Sequence, residues 1–449
     1  MEIISTYKVK IKDYNGIFNE TVEAYRDAVR FFVNVVLENW DTIENIKGSN
    51  QKQAFVETLT IRTKKRPSVV YCFEEVKKEF YKFPSYMRRA AISEAIGKVS
   101  SYKSNLENWE NSDKSGKEPG LPNVGHSFPS MYNEQHYERA GVYSAAIKVR
   151  IRNTWDWMEI GLRKSDVDYI NRHCANKKEC PPTLTKRGKR WTLDFPFKEN
   201  VTLKKEKKVS EQKILSVDLG INNSAACTVM GSKGTIYARR FLSCNKLQDS
   251  LNHTLNKIKK AQKLGAKRPK TLWSRVNGLN RQIAFETAAF IMAVALEHNV
   301  DIIVFEHLET QGKKKKVAKS KKQRLALWNH KTVQRTVEHK AHQNGIRIRR
   351  IFAPGTSKLA FDGSGEVKRG AYIQDGKEVY NYSICVFPNG KTYSCDLNAA
   401  YNIGARYFIK EKLKTLSEKT RLDIEAKVPQ CSKRSTCTLS TLISLNAVL

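Results

Sequence analysis

Three acidic residues in this chain stand where a strand stops or a helix starts. Asp218 closes the apolar run Ile214-Leu-Ser-Val-Asp ahead of a glycine turn, and Glu306 closes a second run, Asp301-Ile-Ile-Val-Phe-Glu. Asp396 opens Asp-Leu-Asn-Ala-Ala-Tyr-Asn-Ile-Gly-Ala-Arg, which reads as the first turns of a helix. A carboxylate at the end of a buried strand is held rigidly while its oxygens face a crevice, which is where open α/β sheets place ligands. Three such groups repel one another unless divalent cations join them. Hard cations bridged by carboxylates activate water and stabilise the leaving oxygen of a phosphodiester. The chemistry expected of Asp218, Glu306 and Asp396 is therefore hydrolysis that depends on magnesium or manganese. Taken singly, each acid also has an ordinary explanation: a turn former, a surface acid, a helix N-cap.

The rest of the chain indicates whose phosphodiester this is. Its 449 residues carry 80 Lys and Arg against 45 Asp and Glu, a net charge of +35. Self-repulsion of that size destabilises a compact fold unless a polyanion accompanies it, and nucleic acid is the expected partner. The longest strongly apolar stretch, Ala288 to Leu296, is too short to span a bilayer, so no membrane partner is expected. The N-terminus shows no basic region followed by an apolar core, and a cytoplasmic or nucleoid location is expected. Nine cysteines without any Cys-x-x-Cys pair suit reduced thiols better than a disulfide framework or a zinc knuckle.

The elements that must position the acids follow from periodicity. Tyr7-Lys-Val-Lys-Ile-Lys and Ala145–Arg152 alternate apolar with basic residues, as does a strand that buries one face and turns the other to phosphate. Lys148, Arg150 and Arg152 are the nucleic-acid contacts expected there. Val22, Tyr25, Val29, Phe32, Val33 and Val36 form a helical stripe, and a second helix follows Pro84. The reading is an α+β multidomain protein. A β-barrel-like module comprises residues 1–17 and 140–197, with a helical module, residues 18–139, inserted in it. A charged linker spans 198–213 and a C-terminal α/β domain 214–449. In that domain strands at 214–218, 225–230 and 235–241 precede a helix at 272–298, a strand at 302–305, a helix at 325–344 and a strand at 346–352. That is the element order of an RNase H-like domain, and a last helix from about Leu397 to Leu413 carries the third acid.

Asp218-Leu-Gly-Ile-Asn-Asn, Val304-Phe-Glu-His-Leu and the helix-opening motif at 396–406 resemble the three split RuvC motifs of the TnpB family, transposon-encoded relatives of compact type V CRISPR effectors. The resemblance covers the C-terminal half in detail and the N-terminal half only in layout. It implies an RNA-guided DNA endonuclease in which Asp218, Glu306 and Asp396 bind Mg²⁺ or Mn²⁺ and catalyse cleavage. Its implied partners are a guide RNA and double-stranded target DNA, with a monomer favoured. One departure stands out. Where the family carries a zinc ribbon between the second and third acids, residues 355–395 lack paired cysteines. A zinc-less β-ribbon is expected there, its core made by Tyr380, Tyr382, Ile384, Val386 and Tyr393. The run Lys313, Lys314, Lys315, Lys316 is expected to steer a nucleic-acid strand. His307 and His330 read more readily as structural than catalytic, and Trp155, Trp157 and Trp191 as core. Three rival functions stay open: a guided but non-cutting repressor, a transposase proper using the same three acids, and a guide-free nuclease.

Overall fold

The computed structural model describes residues 1–12, 16–114, 116–221, 223–308, 327–374 and 377–449. The chain forms two compact units, Glu2–Asn200 and Val201–Leu449, with Met1 joining the second.

In the first unit the helix Ile17–Glu38 buries the stripe named above, together with Phe18 and Ala28. It packs on the helix Ser85–Glu110, whose Met87, Ala91, Ile92, Ala95 and Val99 are fully covered. The strands are β1 (Glu2–Lys10), β2 (Tyr137–Glu138), β3 (Ser144–Ile151), β4 (Thr154–Gly161), β5 (Lys178–Glu179), β6 (Thr183–Arg187) and β7 (Arg190–Asn200). They pair as two sheets. One is β1-β7-β5 with β6 also on β7, and the other is β2-β3-β4. The isolated bridges Ile11–Leu162 and Ser130–Thr183 connect the segments around them, and residues of both sheets fill one core, with the Tyr137 ring against Phe195. β4 leaves most of its residues partly or fully exposed and stands at the end of its sheet. Because β7 runs to Asn200, residues 198–200 are strand and not linker.

The second unit is built on β8 (Lys213–Asp218), β9 (Ala225–Gly231), β10 (Ile236–Leu242), β11 (Ile302–His307) and β12 (Arg347–Phe352). Their order is β10-β9-β8-β11-β12. β9 is antiparallel to β8 and β10, whereas β11 is parallel to β8 and β12. The central strands are buried on both faces and read as continuous apolar runs for that reason. Leu215, Val217, Ile303 and Phe305 face the helices Lys270–Glu297 and His330–Gln343. Ile214, Ile302 and Val304 face the helix Cys395–Lys414. By length and composition Lys270–Glu297 is apolar enough to cross a membrane. Its Ala284, Ala288, Ile291 and Ala295 instead fill the core against the sheet.

A ribbon of β13 (Lys368–Gln374), β14 (Lys377–Val386) and β15 (Thr392–Ser394) precedes the helix Cys395–Lys414. Its core differs from the expected one. Cys385 and Phe387 are buried with Ala360 and Cys395, against Phe361 and Tyr393, while Ile384 and Val386 are only half-buried. Strand alternation decides this: the face bearing Cys385 meets the helix start, so its neighbours turn outward. The side chains of Tyr380 and Tyr382 lie outside the described residues. Two further helices, Glu418–Lys427 and Leu439–Val448, follow the one expected to end the chain.

Candidate functional site

β8 and β11 run side by side in parallel, with Phe305 opposite Val217, so Asp218 and Glu306 emerge at adjacent carboxyl ends of the sheet. Each is partly exposed while Val217, Leu219 and Phe305 beside them are buried. Asp396 is the second residue of its helix, partly exposed between buried Cys395 and Leu397. Ser394 is the N-cap of this helix, its hydroxyl accepting from the Leu397 amide at 3.4 Å. Asp396 is thus spared capping duty. The turn after Asp218 belongs to Gly220, where a Cβ would stand 2.5 Å from the Asn223 carbonyl.

Asp218 senses the other two acids. Burial, and then the charges of Glu306 and Asp396, push the Asp218 carboxyl well above the usual carboxylate range. Burial also raises Glu306, against the lowering effects of the Thr356 hydroxyl, Arg406 and Arg369. Among the described residues, no three His, Cys, Asp or Glu side chains are gathered into a cluster ready to hold a metal ion. The donor set nevertheless fits a hard divalent cation: three carboxylates, partly open to solvent, with Asp218 short of counter-charge.

Three neighbours not singled out by the sequence hold these groups. Thr356 donates its hydroxyl to Glu306 Oε1. Asn223 Nδ2 donates to Asp396 Oδ2 at 2.6 Å and is itself held by the Ser243 hydroxyl at 2.6 Å. Arg369, at a bulge in β13, donates to the Ser357 carbonyl at 2.7 Å and lowers both Asp218 and Glu306. Asn223 lay in plain view inside the first motif. Nothing local in sequence marks Thr356 or Arg369, which reach the acids only through the fold.

The remaining polar residues of the third motif have a structural task. Asn398, Asn402 and Arg406 recur every four residues on one face of the helix and are buried. Asn398 Nδ2 donates to the Leu359 carbonyl, and Asn402 Nδ2 to those of Thr356 and Leu359. Arg406 spreads its guanidinium over the carbonyls of Phe352, Pro354, Ser435 and Cys437. These bonds tie down the turn that carries Thr356.

The other expected site residues fare unevenly. Lys148 and Arg150 share the outer face of β3. Lys148 lies over the Trp157 ring at 6.0 Å, and Arg150 bonds Asn153. Arg152 does not share that face, because it sits in the β3–β4 turn with φ 45°. Lys313, Lys314, Lys315 and Lys316 lie outside the described residues. His330 is buried, its Nδ1 3.2 Å from the Trp328 carbonyl, whereas His307 is exposed. Trp191 is buried as expected, but Trp157 is a surface residue.

The fold has known counterparts. The structure of the mini RNA-guided endonuclease CRISPR-Cas phi3 superposes with a TM-score of 0.53, covering 90% of this chain and 92% of that one at 12% identity. This shows a shared α+β multidomain architecture. In sequence, the Aq_aa04 family model matches residues 5–151. A TnpB-like protein of Aquifex aeolicus is 25% identical over 237 residues, 49% of this chain and 74% of the relative. A TnpB-like protein of Methanocaldococcus jannaschii is 24% identical over 178 residues, 38% of this chain and 62% of the relative. Over about half its length, then, the chain is similar in sequence to TnpB-like proteins.

Proposed function

We propose that this protein is an RNA-guided DNA endonuclease whose second unit is an RuvC-type, RNase H-like domain that hydrolyses phosphodiesters at Asp218, Glu306 and Asp396. The observation that carries the reading is that Asp218 and Glu306 close adjacent parallel strands and that the charges of Glu306 and Asp396 reach Asp218. The 3-2-1-4-5 strand order, with one antiparallel strand between the first and third, supports it. So do the net charge of +35 and the kinship with TnpB-like proteins.

Asp218, Glu306 and Asp396 would hold Mg²⁺ or Mn²⁺. When bound, such cations supply Lewis-acid activation of water and offset charge on the scissile phosphate. The chain's own residues do the positioning. Thr356 fixes the orientation of Glu306, Asn223 that of Asp396, and the rigid end of β8 that of Asp218. Arg369 brings positive charge to the same crevice, where a pentacovalent phosphate would need it. Guide RNA pairing supplies sequence selection, since basic surfaces contact backbone and carry no sequence information.

A second reading, guided binding without cutting, draws on one observation: the acids are not gathered into a ready metal cluster among the described residues. One experiment separates the two. Protein purified with its co-purifying RNA is given duplex DNA that matches or mismatches that RNA, with Mg²⁺, alongside Asp218→Ala. The nuclease reading expects cutting of the matched duplex only, lost in Asp218→Ala with target binding retained. Binding without cutting by the unaltered protein supports the second reading. Equal cutting of matched and mismatched duplex, or activity after RNase treatment, defeats guidance altogether.

A further inference from the structure

The second unit holds a cavity of about 90 Å³ that the carboxylate chemistry does not use. It lies in the seam between two apolar clusters. Leu219, Ala284 and Val333 belong to the sheet core, whereas Leu251, Leu255 and Leu327 pack in a smaller cluster that joins the helix Asn245–Lys263 to Lys270–Glu297. Charged residues make up 28% of the chain, yet no Lys, Arg, Asp or Glu stands among the 17 described residues that line this cavity. Its polar groups are of another kind: the amides of Gln248, Asn252, Asn280 and Asn329, the Ser224 hydroxyl and the His330 ring.

Two of those groups are buried short of a partner. His330 is 9% and Ser224 6% exposed, and neither His330 Nε2 nor Ser224 Oγ has a hydrogen-bond partner among the described residues. The tautomer of His330 follows from its other nitrogen. The Trp328 carbonyl, 3.2 Å from Nδ1, can only accept, so Nδ1 carries the proton. Burial lowers the pKa of the imidazole and keeps it neutral, which leaves Nε2 a bare acceptor. The Trp328 ring, 4.6 Å from that of His330, adds an aromatic wall.

Elimination selects the occupant. An ion finds no counter-charge in this lining. An apolar ring leaves the amides and Nε2 without partners once they are shut off from water, which costs free energy. A sugar sets hydroxyls against apolar walls. Roughly 150 Å³ encloses a benzene ring, so this smaller cavity takes one ring and no fused pair. What remains is a planar, uncharged single ring with N–H donors and carbonyl acceptors on its edge. We propose that the cavity binds one pyrimidine ring of the uracil or thymine type, its N–H donated to His330 Nε2 and its carbonyls taken by the Ser224 hydroxyl and the Asn252 amide. The ring then stands behind the turn that carries Asp218 and Asn223, because residues 219–221 and 224 form part of the wall. Its binding does not depend on the nuclease reading.

The test is a ligand-observed NMR titration of the whole chain, stripped of nucleic acid, with uracil and separately with toluene, an apolar ring of similar size. Uracil should bind at least about tenfold more tightly, since two or more hydrogen bonds distinguish the two rings. Ser224→Ala removes a hydroxyl that has no partner within the fold, and Asn252→Leu turns one polar wall apolar. Each should weaken uracil about 3–10-fold and leave toluene unchanged. Failure of uracil to bind, equal binding of the two rings, or uracil binding untouched by both substitutions overturns the proposal. The comparison of rings needs no variant, so it decides the matter even where a substitution disturbs the fold. Competition then identifies the source of the ring, and either source keeps the site. Displacement of uracil by uridine alone assigns a free nucleoside, and displacement by oligothymidine, weakened in Ser224→Ala, assigns an unpaired base of a strand. A chain that binds uracil and never cuts DNA keeps the cavity and loses the nuclease reading. A chain that cuts matched duplex without binding uracil keeps that reading and loses the cavity.

Discussion

At the scale of single residues, Asp218 is the most exacting member of the site. Its carboxyl is raised by burial first and by Glu306 and Asp396 next, so it keeps its proton at a pH where a free aspartate has lost it. Folded protein then binds more protons than unfolded protein above the ordinary aspartate pKa, and stability falls as pH rises through that window. Asp218→Asn should accordingly raise stability at pH 7 in a chelator by about 0.5–2 kcal/mol, seen as a higher melting temperature. The gain should shrink when Mg²⁺ is added, because the cation stabilises only the unaltered protein. Calorimetry with and without Mg²⁺ checks this, and a destabilised variant in chelator would contradict the crowded, half-buried carboxylate. Thr356 tests the neighbouring acid. Thr356→Val removes the hydroxyl that orients Glu306 at nearly constant volume, and cutting should fall about 10–100-fold with target affinity retained. Thr356→Ser should restore most of it in the same assay.

At the scale of elements, the helix Cys395–Lys414 does two jobs from two faces. Its first turn presents Asp396, and its buried polar face clamps the turn bearing Thr356. Gly404 lets it lie close to the sheet: a Cβ there would meet Met230 Sδ at 3.0 Å and Ser216 Oγ at 3.1 Å. Arg406→Lys replaces a fork spanning four carbonyls by a point charge, leaving buried acceptors without donors. A loss on the order of 3 kcal/mol is expected, roughly 6–12 °C in melting temperature. Thermal denaturation read by circular dichroism decides it, and a change below about 2 °C would mean that the carbonyls find water instead. The ribbon permits a second test. Its core is Cys385, Cys395, Phe387 and Phe361, and only two of these can ligate a metal. We propose that it folds without zinc, so elemental analysis should find well under one zinc per chain, and stoichiometric zinc surviving chelation would refute this.

At the scale of the whole molecule, a net charge of +35 sets the conditions under which the protein is stable. Freed of nucleic acid, the chain should melt at a higher temperature in roughly 0.5 M than in roughly 0.05 M salt, because screening relieves self-repulsion. Bound nucleic acid should reverse that order, since salt then weakens the complex that stabilises the fold. Differential scanning calorimetry of stripped and loaded protein gives both slopes, and salt-independent melting of the stripped chain would show the charges already balanced within the fold. The sequence by itself determined the five sheet strands of the second unit and its longest helices to within a few residues, because buried strands there are apolar runs and those helices carry periodic stripes. It also singled out the three acids as candidates, because each sits where such an element ends or begins. The helix Glu418–Lys427 escaped notice because only Ile424 in it is buried, too little to make a stripe. What only the tertiary structure decided is pairing at a distance. The two N-terminal sheets close on one shared core, Cys385 and not Ile384 faces the ribbon core, and Thr356 and Arg369 arrive beside acids many residues away. The physical reason is the same in each case. Periodicity along the chain fixes which face of an element is apolar, whereas the identity of the surface that covers it depends on packing between elements that local sequence does not encode.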